Sequence, residues 1–238
     1  MHEYTVLADT VLRMNPHYWG NELLSRNAFK LNYRYRLDQR DYHPYPLNGY
    51  FLQAGLNTYI TSDATVRYAQ LNVGLQYFKQ LAGSRWYVSS VFSGAASLSN
   101  AQAFILEKAI GYDNNMLRGY EYTVADGQSF AISNNTLKYN LLKKKTFTLN
   151  WLSFLPKFSK IHLAVYANAH FDMGYVHNKW DYHRNVLSNQ FLYAGGLGLD
   201  FVTYYDMVLG IDYSVNKQCQ NGFFSWKNFF FSIKVPFI

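Results

Sequence analysis

Nine residues in a row fix what kind of structure this chain can form. Phe29, Leu31, Tyr33, Tyr35 and Leu37 alternate with Lys30, Asn32, Arg34 and Arg36. A period of two places the apolar set on one face of a β-strand and the basic set on the other. Placing that basic row in hydrocarbon would be prohibitive, so one face must meet water.

The same alternation returns along the chain. Tyr50, Leu52, Ala54 and Leu56 stand opposite Gln53, Gly55 and Asn57, and the chain reverses before them at His43-Pro44-Tyr45-Pro46. Ala69, Leu71, Val73, Leu75 and Tyr77 stand opposite Gln70, Asn72, Gly74 and Gln76, and a further strand starts at Trp86 and runs to about Ser93. A weaker first segment covers about Glu3 to Arg13. Five more follow: about Phe130 to Leu142, Ile161 to Asp172, Phe191 to Phe201, Tyr205 to Val215, and Asn228 to Phe237. About ten such segments, with no helical period between them, predict an all-β antiparallel fold.

Composition separates a membrane barrel from a soluble β-sandwich. Of 238 residues, 22 are Tyr and 18 are Phe, an aromatic share of 19% that is far above ordinary soluble usage. The mean hydropathy is nevertheless −0.21. Transmembrane barrels combine these two properties, with aromatic girdles at both interfaces and a polar lumen-facing half of every strand. The expectation is a transmembrane β-barrel forming one domain over 1–238. No run of 18 apolar residues occurs, so no transmembrane helix is expected. The start, MHEYTVLADTVLRMN, lacks the basic and apolar regions of a signal peptide, so an exported chain would need its signal upstream, as part of a longer precursor.

The formal net charge is +7, but Lys and Arg are scattered along the chain, and no nucleic-acid partner is expected. The triplet Lys143 to Lys145 reads as a solvated hairpin turn. Cys219, the single cysteine, excludes an intramolecular disulfide. The histidines, including His177 and His183, show no metal-ligand spacing, so no metal or cofactor is expected. A hydrolase would need a serine beside His170 and an orienting Asn168 or Asp, and no serine stands in a recognisable nucleophile context. No catalytic residue is assigned.

Between the two sets of strands runs a loop of about thirty residues, from roughly Leu98 to Gly127, carrying Leu117-Arg118-Gly119-Tyr120. Loops that long without secondary structure are usually functional or disordered. An arginine carried into a barrel interior needs a carboxylate or carbonyl partner. Alternation puts Asp172, with His162, Asn168 and His170, on the polar face of Ile161 to Asp172, where it can supply one.

The pair of motifs, LRGY in the loop and FDMGYV on the second strand after it, resembles the bacterial surface-antigen barrels. That superfamily comprises the BamA- and TamA-type outer-membrane insertases and the two-partner-secretion transporters. The final strand resembles their C-terminal β-signal, with Phe229, Phe231, Ile233, Val235 and Phe237 on one face; the usual last aromatic is penultimate here. The resemblance implies the C-terminal ten strands of a sixteen-strand barrel, with six strands and the periplasmic POTRA domains upstream. It also implies that Asp172 and Gly174 anchor the loop arginine, and that the last strand borders a lateral seam.

The function implied is assembly, insertion or translocation at the bacterial outer membrane. The implied partners are outer-membrane lipid and lipopolysaccharide, substrate outer-membrane or secreted polypeptides, and assembly-complex lipoproteins. A passive porin-like or structural barrel is the alternative. The family also places a glutamate on the strand after the loop, and the corresponding inward residues here, Thr136 and Lys138, are not acidic.

Overall fold

The computed structural model describes residues 2–6, 9–15, 18, 25–61, 67–83, 85–99, 104–112, 115–148, 160–179, 185–203, 207–218 and 225–234. Ten strands form one antiparallel sheet in the order β1-β2-β3-β4-β5-β8-β9-β10-β11-β12. They are β1 (His2–Val6), β2 (Ser25–Asp38), β3 (Gly49–Thr61), β4 (Arg67–Gln80), β5 (Trp86–Ser97), β8 (Ser129–Thr148), β9 (Lys160–His177), β10 (Phe191–Val202), β11 (Val208–Asn216) and β12 (Phe229–Lys234). Between β5 and β8, β6 (Lys108–Ile110) and β7 (Ala125–Asp126) pair with each other. Among the described residues no ladder joins β12 to β1 or β2.

Register carries one face unbroken across the sheet. Tyr33 pairs with Leu56, Leu56 with Leu71, Leu75 with Phe92, Val88 with Leu137, and Leu137 with Ala169. The row continues through Ala169–Leu197, Leu197–Tyr213 and Ile211–Phe231. Because side chains alternate, every pair in this chain of partners points the same way. That way is outward: Leu31 is 57% exposed, Leu197 67% and Phe231 69%. The opposite face is polar and covered. On β9, Ala164, Tyr166, Asn168, His170, Asp172, Gly174 and Val176 are buried, while Ala169, Phe171 and Met173 among them are exposed.

The concave face is where the sheet curls on itself. A cavity of about 480 Å³ is lined together by Gln76 of β4, Ser93 of β5, Thr136 of β8, Asn168 of β9, Asp212 of β11 and Ser232 of β12. The principal apolar cluster lies between this face and the long loop: Ala109, Ile110, Leu117, Tyr120 and Ala125 pack on Ile132, Val176, Leu192 and Ala194.

Several sequence expectations need correction. The segment Glu3 to Arg13 is not one strand: β1 ends at Val6 and a short helix, α1 (Asp9–Met14), follows. Leu, Arg and Met are strong helix formers and Asp is suited to a helix start, which outweighs a weak alternation. Lys143 to Lys145 do not form a turn. They lie within β8, where extra residues bulge against β9 between Asn140 and Lys145 and leave the three lysines exposed. The strand from Trp86 runs on to Ser97, β8 begins at Ser129 and β9 continues to His177. The last strand starts at Phe229, after a single 3₁₀ turn, Trp226–Asn228. Tyr205, Val235, Phe237, His183 and Cys219 lie outside the described residues.

Candidate functional site

The long loop is not structureless. Its ribbon, β6 with β7, turns at Gly111, whose φ is +87°. The ribbon satisfies backbone groups that a buried loop would otherwise leave without partners. A buried network closes the loop's base, with the Gln128 side-chain amide donating to Glu107 Oε1 at 2.8 Å and to Asn178 Oδ1 at 3.0 Å. Glycine is required at the exit, because a Cβ on Gly127 would sit 2.4 Å from Val176 Cγ1.

The loop tip turns into the concave face. Arg118 Nε and Nη2 donate to the two carboxylate oxygens of Asp172 at 2.6 and 2.7 Å. This is the fork-on-fork geometry that gives arginine–carboxylate pairs their strength and direction. Nη2 also donates to Thr136 Oγ1 at 2.9 Å. Asp172 is fully buried, and it further accepts the Asn135 backbone N–H at 3.1 Å and the Asn134 amide at 3.3 Å. A buried carboxylate is tolerated when its lone pairs are filled in this way.

Each neighbour of Arg118 has a place on the wall. Leu117 is 1% exposed and sits over Gly174, where an added Cβ would meet Ile110 Cδ1 at 2.9 Å and Leu117 Cδ2 at 3.2 Å. Gly119 has φ +84°, and a Cβ there would lie 2.8 Å from that of Ala194. Its carbonyl accepts the Asn216 amide at 2.7 Å. Tyr120 is 2% exposed within the apolar cluster. Glu121 accepts the Gly119 N–H at 2.9 Å, and burial raises its pKa above the ordinary carboxylate range.

Thr136 and Lys138, neither of them acidic, make two different contacts. Thr136 meets Arg118, as above. Lys138 instead places its Nζ 3.9 Å from the ring centre of Tyr45. Phe229, Phe231 and Ile233 lie on the outward row of β12, far from this constellation in role and direction.

Two groups escaped sequence reasoning. Ser214 Oγ lies 2.8 Å from His170 Nε2, and Nδ1 of that ring is 3.4 Å from Asn168 Oδ1 and 4.0 Å from Asp212. Serine and base have nucleophile–base spacing, yet Ser214 is 3% exposed and Gly119 lies directly over it, leaving no approach for a substrate atom. Alternation placed His170 on the polar face, but nothing local marks Ser214 as its partner. The second group is Tyr45, whose hydroxyl donates to Asp200 at 2.7 Å across 155 residues. Two flanking prolines signal a stiff turn there, but not where it points.

Among the described residues no cluster of His, Cys, Asp and Glu could hold a metal ion. No protein-family model matches this chain, and no curated protein matches it.

Proposed function

We propose that the chain is the membrane-embedded part of an outer-membrane assembly or translocation barrel, with Leu117 to Tyr120 as its internal plug. The single observation that carries this reading is the inversion of the sheet's two faces. Apolar side chains form a convex row across nearly all strands, while Asn168, His170 and Asp172 are buried on the concave side. Water-soluble sheets bury the apolar face; a surface of this extent left open in water would aggregate. Lipid is the solvent that accepts it.

The plug distinguishes this barrel from a passive pore. Arg118 is bolted to Asp172 and Thr136 on the wall, and Leu117 and Tyr120 fill the space beneath. A loop so fixed blocks the axial path, so work on a polypeptide has to take place at the sheet's edge. β12 carries Phe229, Phe231 and Ile233 there, alternating as an adding strand requires. The role is one of binding and templating, with no covalent step.

The test is a reconstituted assembly reaction. The chain is incorporated into lipid vesicles, and insertion of an unfolded eight-strand outer-membrane precursor is followed by gel mobility. Vesicles holding the chain are expected to speed insertion, and Arg118→Ala to reduce that gain. Equal rates with and without the chain, together with ion leakage through it, would instead support a passive barrel.

A further inference from the structure

The loop closes the curled sheet from one end only. At the other end lies the connection between β2 and β3, residues 39–48, which has its own internal bracing. Asp41 Oδ1 accepts the N–H of Tyr42 at 2.9 Å and of Leu47 at 3.0 Å, and Asp41 N–H donates to the Asn48 carbonyl at 3.0 Å. Two prolines, Pro44 and Pro46, fix the backbone on either side of Tyr45. The result is a stiff finger in which Tyr45, at its tip, is only 5% exposed.

The finger reaches across the concave space. The Tyr45 hydroxyl bonds Asp200 of β10, its ring lies 5.0 Å from that of Tyr166 on β9, and Lys138 of β8 covers its face at 3.9 Å. Arg40, at its base, donates to Gln76 of β4 at 3.2 Å. Burial, then the adjacent Asp200 carboxylate, holds the Tyr45 phenol well above its ordinary range, so it stays a neutral donor. The cavity of about 480 Å³ is thus lined by Asn115, Met116 and Arg118 of the loop and by His43 to Pro46 of the finger. In the barrel reading above, ten strands about 4.8 Å apart and tilted about 40° would enclose a ring roughly 20 Å across at the backbone. One turn can span that width.

The two closures are held differently. The loop is anchored by a buried bidentate ion pair and an apolar cluster. The finger tip is held by a neutral phenol donor, a cation over its ring and an apolar cluster smaller than the loop's, in which Tyr42, Tyr45 and Leu47 pack with Ala164, Tyr166 and Val208, so it is the closure that opens more readily. We propose that the β2–β3 turn is a gate: Tyr45, latched to Asp200 and Lys138, shuts the inner chamber at the end opposite the Arg118 loop, and its release admits small polar solutes. This rests on the barrel reading above and adds where its interior is closed.

The test is the rate at which a thiol inside the chamber is reached. In a Cys219→Ser background, Ser93→Cys puts a thiol on the chamber wall, and a small charged thiosulfonate is applied to the chain in detergent micelles. With Tyr45 intact, labelling is expected to be slow compared with an exposed thiol at Gly83→Cys. Tyr45→Phe, which loses only the hydrogen bond, should raise the rate about fivefold. Tyr45→Ala, which also removes both ring contacts, should raise it by about fiftyfold or more. Lys138→Met, which leaves the tyrosine in place, should fall between wild type and Tyr45→Ala and reads the latch even if the alanine variant does not fold. Labelling at the exposed rate with Tyr45 intact, or unchanged rates in Tyr45→Phe and Lys138→Met, would overturn the gate. Because labelling needs no assembly activity, loss of the assembly reading and loss of the gate are separate results.

Discussion

Arg118 is the residue on which the candidate site turns. Its removal leaves a fully buried Asp172 carboxylate facing only the Asn134 and Asn135 donors. Breaking a buried pair from one side costs about 3–5 kcal/mol. Arg118→Ala is therefore expected to lower the free energy of unfolding, measured by denaturant titration, by that amount. Asp172→Asn is expected to do similar damage, and the double variant to cost little more than either alone, because both remove one contact. Summed losses in the double variant would show that the two act separately. Gly119→Ala meets a positive φ and a Cβ at 2.8 Å, and should cost about 1–3 kcal/mol in the same measurement. Glu121 adds a dependence on pH. Its pKa is raised in the folded chain, chiefly by burial, so its contribution is fully present below the unfolded carboxylate range, near about 4, and is lost as pH rises through the folded value. The wild-type midpoint should therefore fall relative to Glu121→Gln as pH rises from about 4; parallel curves would contradict the shift. The Arg118–Asp172 contact was legible in sequence because two independent signals met: a motif order, and a parity that set Asp172 on the polar face. Tyr45 was not, because no periodic pattern states which way a turn residue points or what it meets 155 positions away.

At the scale of the element, the long strands of the large sheet have an apolar outward face and a polar inward face, and substitutions should respect that difference. Val73 sits mid-strand on the exposed row of β4, with Ala54 and Gly94 as its cross-strand partners. Val73→Arg is expected to destabilise the chain in lipid by about 2–4 kcal/mol, whereas Asn57→Lys on the concave side of β3 should lie within about 0.5 kcal/mol. Equal tolerance of both, read as folding yield in vesicles, would mean that the convex row does not face lipid. The strands were legible because their period follows directly from the pleat, and register then had to keep one face common to all. Their ends were less so. α1 is only 6 residues long, too short to impose a period, and the β8 bulge resembles a turn in sequence because three lysines favour solvent in either setting. The ribbon of β6 and β7, 3 and 2 residues long, carries no alternation to read.

The molecule as a whole is an inside-out sheet: apolar outward, polar inward, with one loop and one turn reaching into its concave side. The plugs supply much of the buried apolar packing, since the principal cluster joins loop residues such as Ile110 and Leu117 to the wall. On the membrane-barrel proposal such a chain is expected to have no stable state in plain water, because apolar side chains such as Leu31, Leu197 and Phe231 stand on its outer face. The most direct measurement is refolding from urea by dilution into buffer alone, into detergent micelles and into lipid vesicles. Near-ultraviolet circular dichroism and heat-dependent gel mobility would report the folded state. The expected result is native signal only where micelles or vesicles are present, with aggregation in buffer. A monodisperse, cooperatively folded monomer in buffer without any amphiphile would contradict the membrane-barrel reading, and with it the function proposed here.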